Sequence, residues 1–264
     1  GTLRGRFIVA GQKSDSYLDR YENGRTLFHG ILEADIGGST LLTVGHTREE
    51  SKSNGAMWGA LPLYFSDGSP TRYDVSTNTA ADWTYWNSYN ETSFAEVVHR
   101  FDNDWKLKAG LTHKKITSDT ALFYAYGTPD RTTGLGLYSY PSLYDMNNLQ
   151  DIVDVSASGP FTLGNRKHDL IVGANWSKSK EKEHSYYGSD IGTALPDLAT
   201  WTGNYPKPAF DDSTRWSSFE DNRQSVYAAA RLNLDDPIKL IIGASAISAE
   251  SSGISYGQDR KRSD

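Results

Sequence analysis

The sequence contains no cysteine among its 264 residues. Without thiols, the chain can form neither a disulfide scaffold nor a thiolate metal site. Its 6 histidines are scattered and show no ligand spacing such as His-x-x-x-His, so we do not expect a histidine metal site either. These absences count against the disulfide-rich and the zinc-binding classes of protein.

Long apolar runs are also missing. No stretch approaches the roughly 18 apolar residues that a transmembrane helix requires. A membrane protein is not thereby excluded, because a barrel strand exposes only every second side chain to lipid. The net charge is −6, and no basic block precedes Arg260-Lys261-Arg262. Nucleic acid is therefore not an expected partner.

What the sequence does contain is a repeated two-residue alternation. From Trp105 to Thr112, the odd positions are apolar and the even positions are polar or glycine. This period places Leu107 and Leu111 on one face of a strand and the intervening lysines on the other. Similar segments predict an all-β fold of about nine antiparallel strands. The predicted strands cover residues 3–13, 25–36, 41–50, 91–101, 105–116, 149–158, 168–177, 224–232 and 238–248.

The connections between these strands alternate in length. Short polar turns such as Gly37-Gly38 alternate with long aromatic loops, predicted at residues 51–90, 117–147 and 178–222. Transmembrane barrels show this pattern, with short periplasmic turns and long extracellular loops. In a barrel, the apolar side chains would face outward as a band, whereas a soluble sandwich would bury them under a second sheet. The side chains that decide this are Phe28, Leu32, Leu107, Leu111, Leu170, Val172, Leu240 and Ile242.

The two ends of the chain suggest a larger assembly. The first predicted strand begins at Leu3, and the last ends near Ser251 without a returning partner. Unpaired edge strands are a liability that intact proteins avoid. We therefore expect the chain to be a piece of a longer protein.

No group of residues forms a convincing catalytic site. His29 and Glu33 share a strand face, but polar residues lining a wet barrel interior explain them better. Asp151 and Asp154 lie on opposite faces of one strand, so they cannot form a carboxylate pair there. Gly134-x-Gly136 lies in a tyrosine-rich loop and is not a phosphate-binding motif. The sequence therefore does not predict an enzyme.

Aromatic residues are concentrated in the predicted loops. Strand-end residues such as Trp176 match the aromatic girdle of membrane barrels, but loop residues need another explanation. They either pack the loops internally or form a rigid aromatic cup that holds a ligand. The loop residues in question are Trp58, Trp83, Tyr85, Trp86, Tyr89, Tyr124 and Tyr126.

A series of motifs occurs in the order and spacing of a known family. They include Arg4-Gly5-Arg6, Leu32-Glu33-Ala34-Asp35, Met57-Trp58-Gly59-Ala60-Leu61-Pro62-Leu63, Asp82-Trp83-Thr84-Tyr85-Trp86, Ser158-Gly159-Pro160-Phe161 and His168-Asp169-Leu170-Ile171-Val172-Gly173. With these motifs the chain resembles, over essentially its whole length, the TonB-dependent ferric-siderophore receptors of the ferripyoverdine, coprogen and hydroxamate branch. One departure is Gly243-Ala244-Ser245, where the family often has Gly-x-Arg. That arginine is a barrel-wall residue.

The resemblance implies a bacterial outer-membrane protein with a plugged barrel of about 22 strands. Residues 1–264 would be an early part of that barrel, without the plug domain, the TonB box or the later strands. The implied ligand is a ferric siderophore of the hydroxamate or pyoverdine type. The other implied partners are the TonB complex, reached through the missing plug, and the outer-membrane lipid and lipopolysaccharide. No cofactor is implied, because the iron is carried inside its chelate.

The resemblance also implies which side chains contact the siderophore. Trp58 (or its neighbour Met57), Trp83 and Trp86 are the first candidates. Tyr126, Tyr124 and Tyr89 follow. Trp83 and Trp86 are three residues apart, so both can face the ligand only if the segment turns. Trp86 is the stronger candidate, with Trp83 either beside it or packing the loop.

Two other functions remain open from the sequence. A secreted all-β carbohydrate-binding or adhesion module would use aromatic loops to stack on sugars. An isolated enzyme ranks last, because the sequence lacks a catalytic constellation.

Overall fold

Every strand of the sheet pairs with the strand that precedes it in the chain. The structure, a computed structural model, describes residues 2–211 and 215–263, and within these ranges ten strands form one antiparallel sheet in sequence order. The strands are β1 (Leu3–Asp15), β2 (Glu22–Ile36), β3 (Thr40–Asn54), β4 (Tyr85–Arg100), β5 (Lys106–Gly127), β6 (Leu137–Leu163), β7 (Arg166–Tyr187), β8 (Arg215–Asn233), β9 (Lys239–Ser255) and β10 (Gln258–Ser263). A short 3₁₀ helix covers Leu198–Thr200. Among the described residues, no helix is long and apolar enough to cross a membrane.

The two faces of the sheet differ in polarity, and the strand register shows this directly. Residues that oppose each other in an antiparallel pair project from the same face. One row across nine strands consists of Leu3, Ala34, Leu42, Val97, Ala109, Val155, Ala174, Val226 and Ala246. We call this side the apolar face. On the polar face, a row across eight strands consists of His29, Thr47, Thr92, Lys114, Gln150, Ser179, Asp221 and Ser251.

The apolar face is open rather than covered by a second sheet. Leu107 is 38% exposed and Leu111 is 52% exposed. Phe28, Leu32 and Ile242 are exposed in the same way. An all-β antiparallel sheet with this band exposed is therefore confirmed, and a sandwich that would bury these residues is not observed.

Most strands are longer than the sequence pattern predicted. The predicted loops at 51–90, 117–147 and 178–222 shrink to residues 55–84, 128–136 and 188–214, of which 212–214 lie outside the described residues. The ladder between β5 and β6 continues to Gly127 and Leu137. Beyond the apolar band, toward the long connections, both faces of the strands carry polar and aromatic residues. The alternation of apolar and polar residues therefore disappears there, although the backbone pairing continues. Placing Tyr85, Trp86, Tyr89, Tyr124 and Tyr126 in loops was therefore wrong, because all five lie in β4 or β5.

The end of the sheet also differs from the prediction. The strand from Ile238 was expected to have no returning partner and the sheet to have nine strands. Instead, Tyr256 and Gly257 form a turn with φ of 48° and 81°, and β10 pairs back onto β9. This strand contains Arg260-Lys261-Arg262 and has no apolar face, which is why a pattern of alternating hydrophobicity misses it.

Candidate functional site

Five tyrosines meet on the polar face, at the ends of β5, β6 and β7 that adjoin the connections at 128–136 and 188–214. We call these the upper ends of the strands. Tyr124 opposes Tyr140, and Tyr126 opposes Tyr138, so all four side chains project from one face. Their ring centroids lie 6.4 Å apart for Tyr124–Tyr126, 5.9 Å for Tyr126–Tyr138 and 6.0 Å for Tyr126–Tyr140. Tyr187 of β7 extends the group, at 5.6 Å from Tyr140. These separations fall in the range of favourable aromatic contacts.

A tryptophan from the loop at residues 55–84 completes this group. Trp58 contacts Tyr124 and Tyr140 edge-on, with centroid distances of 6.0 and 5.9 Å. The approach depends on Gly59, where a Cβ would lie 2.3 Å from Cδ2 of Tyr124 and φ is +83°. We call the six residues Trp58, Tyr124, Tyr126, Tyr138, Tyr140 and Tyr187 the aromatic cluster.

A positive charge lies at the edge of the aromatic cluster. The guanidinium carbon of Arg215 is 4.4 Å from the ring centroid of Tyr187, a cation–π distance. Tyr138, at the opposite edge, is 40% exposed. The cluster therefore offers open aromatic surface beside a cationic group, an arrangement suited to a ligand that carries both an apolar ring and anionic groups.

Trp86 lies on the same face but lower on the sheet. It opposes Ser53 of β3 and Thr120 of β5, and its side chain is 41% exposed. Thr120 precedes Tyr124 by four positions, which corresponds to about 13 Å along a strand. Trp86 therefore projects from the wall below the aromatic cluster, where it is available to a ligand.

Trp83 lies on the other side of the sheet. Its ring contacts Phe123 and Phe210 edge-on at 6.1 and 6.2 Å, and its Nε1 donates a hydrogen bond of 3.0 Å to the Tyr205 carbonyl. Trp83 lies in a turn just before β4, in which the Thr84 amide donates to the Ala81 carbonyl. Of the two roles predicted for Trp83, the structure places it in the loop packing.

The remaining candidates, Tyr89 and Met57, lie outside the aromatic cluster. Tyr89 occupies an odd position of β4 and projects from the face opposite to Trp86, where the Lys52 ammonium lies 5.6 Å from its ring centroid. Met57 is partly buried next to Trp58. The structure thus brings together Trp58, Tyr124 and Tyr126. Tyr138 and Tyr140 lie within the predicted loop at 117–147 and were not among the candidates, although Tyr138-x-Tyr140 repeats the spacing of Tyr124-x-Tyr126.

A hydrophobic core supports the aromatic cluster from behind. Residues of the loop at 55–84 and residues 188–211 cover the apolar face of the upper β5–β6 hairpin. The buried core residues are Ala81, Phe123, Ala125, Leu137, Leu195 and Leu198. Trp201 stacks on Phe123 with centroids 5.5 Å apart, and its Nε1 donates to the Ala80 carbonyl at 3.2 Å.

Polar contacts fix the two loops to each other. The Asp82 amide donates to the Gly203 carbonyl at 2.9 Å. Burial, and then the hydrogen bond to Asp190, raise the pKa of Tyr205, so its hydroxyl remains a neutral donor to that carboxylate. Arg20, from the β1–β2 connection, donates to the Asn78 and Ala80 carbonyls at 2.7 and 3.2 Å. The loops are therefore held as a structured unit.

The titratable residues considered for catalysis have ordinary structural partners. His29 contacts the Thr47 hydroxyl at 2.8 Å, and Glu33 pairs with Arg4 at 3.4 Å. Among residues 2–211 and 215–263, no group of three or more His, Asp or Glu residues could hold a metal ion.

Comparison with known proteins identifies relatives. The chain is 34% identical over 257 residues to the ferric-pyoverdine BN7/BN8 receptor of Pseudomonas putida, covering 94% of this chain and 31% of the relative. It is 30% identical over 259 residues to the ferripyoverdine receptor of Pseudomonas aeruginosa, covering 96% of this chain and 31% of the relative. The chain thus spans about a third of the length of these curated relatives. No family model matches the chain.

Comparison of the fold with solved structures also identifies a ferripyoverdine receptor. The crystal structure of the outer-membrane ferripyoverdine receptor of Pseudomonas aeruginosa, bound to ferripyoverdine, superposes with a TM-score of 0.92 at 27% identity. The match covers 99% of this chain and 34% of that one. These relatives are described as receptors rather than as enzymes. The predicted resemblance is therefore confirmed: in sequence and in fold, the chain is similar to about a third of the length of the ferripyoverdine receptors, and its antiparallel sheet superposes on part of such a receptor.

Proposed function

We propose that this chain is part of an outer-membrane receptor that binds a ferric siderophore at the aromatic cluster and at Trp86. The observation that carries the proposal is the convergence of Trp58 and the five tyrosines on the polar face. The exposed apolar face on the other side supplies the lipid contact that such a barrel needs.

The chemistry of the site supports a chelated ligand rather than a free ion. Aromatic rings offer a large contact area at low entropic cost, and Arg215 at the edge attracts anionic groups. Iron held inside a chelate needs no protein ligand. Because the relatives are named as receptors for ferric pyoverdines, we propose a siderophore of the pyoverdine type rather than a simple hydroxamate.

Uptake requires parts of the protein outside this chain. We propose that residues 1–264 form one part of the barrel domain, and that a plug domain, a TonB box and later strands complete the receptor. Energy from the TonB complex would reach the ligand through that plug. The competing hypothesis, a secreted carbohydrate-binding or adhesion module, has no support, because its apolar residues would be buried in a sandwich.

A test replaces residues of the aromatic cluster in the full-length receptor. Tyr140 contacts Trp58, Tyr126 and Tyr187, so Tyr140→Ala should weaken binding of a ferric pyoverdine by about 2 kcal/mol, roughly thirtyfold. The matched control is Tyr17→Ala, which removes a tyrosine that is 74% exposed in the β1–β2 connection. Binding is measured by quenching of tryptophan fluorescence. Equal affinity of the two variants would refute the proposal.

A further inference from the structure

Two neighbouring carboxylates lie on the polar face of β7, below the aromatic cluster. At alternate positions this strand presents Tyr187, Ser185, Glu183 and Glu181, and alternate residues of a strand share a face. Glu183 is four positions below Tyr187, which corresponds to about 13 Å along the strand, and Glu181 is about 7 Å further down. We call Glu181 and Glu183 the carboxylate pair. The pair therefore lies on the same wall as the proposed siderophore site.

Neutral donors from the two adjacent strands hold the carboxylate pair in place. The Tyr144 hydroxyl donates to Glu183, and the Ser217 hydroxyl donates to the same carboxylate at 2.7 Å. The Nδ2 atom of Asn148 donates to Oε2 of Glu181 at 2.9 Å. None of these donors carries a charge, so the hydrogen bonds orient both side chains without neutralising them.

Asn148 gives a second, independent observation. Its side chain is only 7% exposed, and its Oδ1 atom is buried and accepts no hydrogen bond from the described residues. Buried acceptors normally have a donor, because an unpaired one is costly. Since Oδ1 and Nδ2 belong to one amide group, the unpaired oxygen lies beside the Glu181 carboxylate. Two carboxylates and an unpaired amide oxygen together match a ligand group that donates hydrogen bonds and carries positive charge.

Within the described part of the chain, no basic group lies within ion-pair distance of Glu181 or Glu183. Arg260 occupies the same row as Glu181 but is three strands away, about 14 Å. Asp221, one row below Glu181 on β8, adds another carboxylate to this face. The other basic residues of this part of the polar face lie in other rows and are Lys114, Arg215, Arg223 and Arg262. The carboxylate pair therefore has no direct ion partner and attracts a cation.

We propose that the carboxylate pair and the Asn148 amide form a subsite for a cationic group, an ammonium or a guanidinium, on the ferric siderophore. This inference rests on the receptor function proposed above and specifies which ligands the receptor selects. A wall that merely contacts water would not account for the buried, unpaired Oδ1 of Asn148.

The position of Arg215 adds an orientation to this selectivity. Arg215 lies in the row of Ser185, about 7 Å above Glu183 and about 13 Å above Glu181. The wall thus presents a positive charge beside the aromatic cluster and two negative charges below it. A chelate with its anionic groups near the rings and its cationic group on the lower side is complementary to this arrangement and binds in one orientation.

The test compares two probes on the full-length receptor in detergent at about pH 7, where an amine is protonated. One probe is a ferric pyoverdine that carries a free amine, and the other is the same chelate acetylated at that amine. Affinities are measured by quenching of tryptophan fluorescence. The wild type should bind the free amine about tenfold more tightly than the acetylated chelate.

Glu181→Gln with Glu183→Gln should abolish this preference. Glutamine keeps an oxygen that can accept the hydrogen bonds from the neighbouring donors but removes the charge. The variant should therefore bind the free amine about tenfold more weakly than the wild type and bind the acetylated chelate equally well, which also shows that it is folded. The matched control, Glu91→Gln with Glu220→Gln, removes two carboxylates from the apolar face and should keep the wild-type preference.

Three outcomes would overturn the inference. Equal affinity of the wild type for the two chelates would show that the amine is not recognised, while leaving the receptor function intact. Equal losses of both chelates in the Glu181→Gln, Glu183→Gln variant would assign the carboxylate pair a structural role, such as contact with the plug. A preference that persists in this variant would place the cationic group elsewhere. Failure of the wild type to bind either chelate would instead overturn the proposed receptor function, and the inference with it.

Discussion

Trp58 packs edge-on against Tyr124, although one residue comes from a loop and the other from a strand. Their ring centroids are 6.0 Å apart, and the contact joins the loop at 55–84 to the β5–β6 hairpin. Loop and barrel wall therefore contribute to one surface, and that surface should respond to changes in either. In the full-length receptor proposed above, the contribution of each can be removed separately.

Gly59→Ala should weaken ferric pyoverdine binding about tenfold. The new Cβ would lie 2.3 Å from the Tyr124 ring, and relieving such overpacking typically costs about 1–3 kcal/mol. Gly68→Ala is the matched control, because Gly68 has a similar φ of +81° but no atom within 4 Å of its Cβ position. Fluorescence titration of both variants should show the loss only for Gly59, and equal losses would mean that backbone strain alone is responsible.

Trp86→Ala should weaken siderophore binding by about 2 kcal/mol, roughly thirtyfold, and leave barrel assembly intact. Trp86 is exposed on the polar face and supports no core, so its loss removes contact area without creating a cavity. Trp216→Ala removes a similarly exposed tryptophan, 38% against 41%, from the apolar face and serves as the control. Unchanged affinity of an assembled Trp86→Ala receptor would remove Trp86 from the site.

Trp83→Ala should act through loop stability. Truncating a packed tryptophan typically costs about 3–5 kcal/mol, so the loops at 55–84 and 188–214 should become susceptible to limited proteolysis. Trp83→Phe keeps the ring contacts with Phe123 and Phe210 and should largely restore protease resistance and binding. Normal loop protection in Trp83→Ala would show that the contacts of this indole do not hold the loops.

The 264-residue chain alone should aggregate in water without detergent. Its apolar face is open, with Val9 80% and Ile242 58% exposed, and β1 and β10 end the described sheet with unpaired edges. Size-exclusion chromatography with light scattering measures this. A monodisperse monomer that unfolds cooperatively would contradict the prediction.

The parts of the fold that could be predicted are those where one face is apolar. Leu107 and Leu111 mark such a strand because lipid-facing and water-facing residues alternate there. Tyr124 and Tyr126 were misplaced because, above the apolar band, both sides of β5 carry side chains that interrupt the pattern. Strand β10 was missed for the same reason, since its basic residues contain no period-two signal.

The site was only partly predictable because its members come from different segments. The family resemblance could nominate Trp58, Trp83 and Trp86 as ligand contacts. It could not determine that Trp83 lies in the turn at Ala81–Thr84 and packs behind the sheet, whereas Trp86 projects from the polar face of β4. The register of β6 and β7, which brings in Tyr140 and Tyr187, depends on long-range pairing that a local pattern does not contain.

The upper β5–β6 hairpin has consequences for how such a receptor can diversify. Its odd-numbered residues, such as Phe123 and Leu137, pack against the loops, whereas its even-numbered residues, such as Tyr124 and Tyr140, belong to the aromatic cluster that we propose as the ligand site. Substitutions that alter ligand preference are thereby separated from those that would unravel the loops, although both occur on adjacent positions of one hairpin. A library that randomises only the even positions should therefore yield folded receptors with new selectivities, and this hairpin is the natural place to re-engineer uptake.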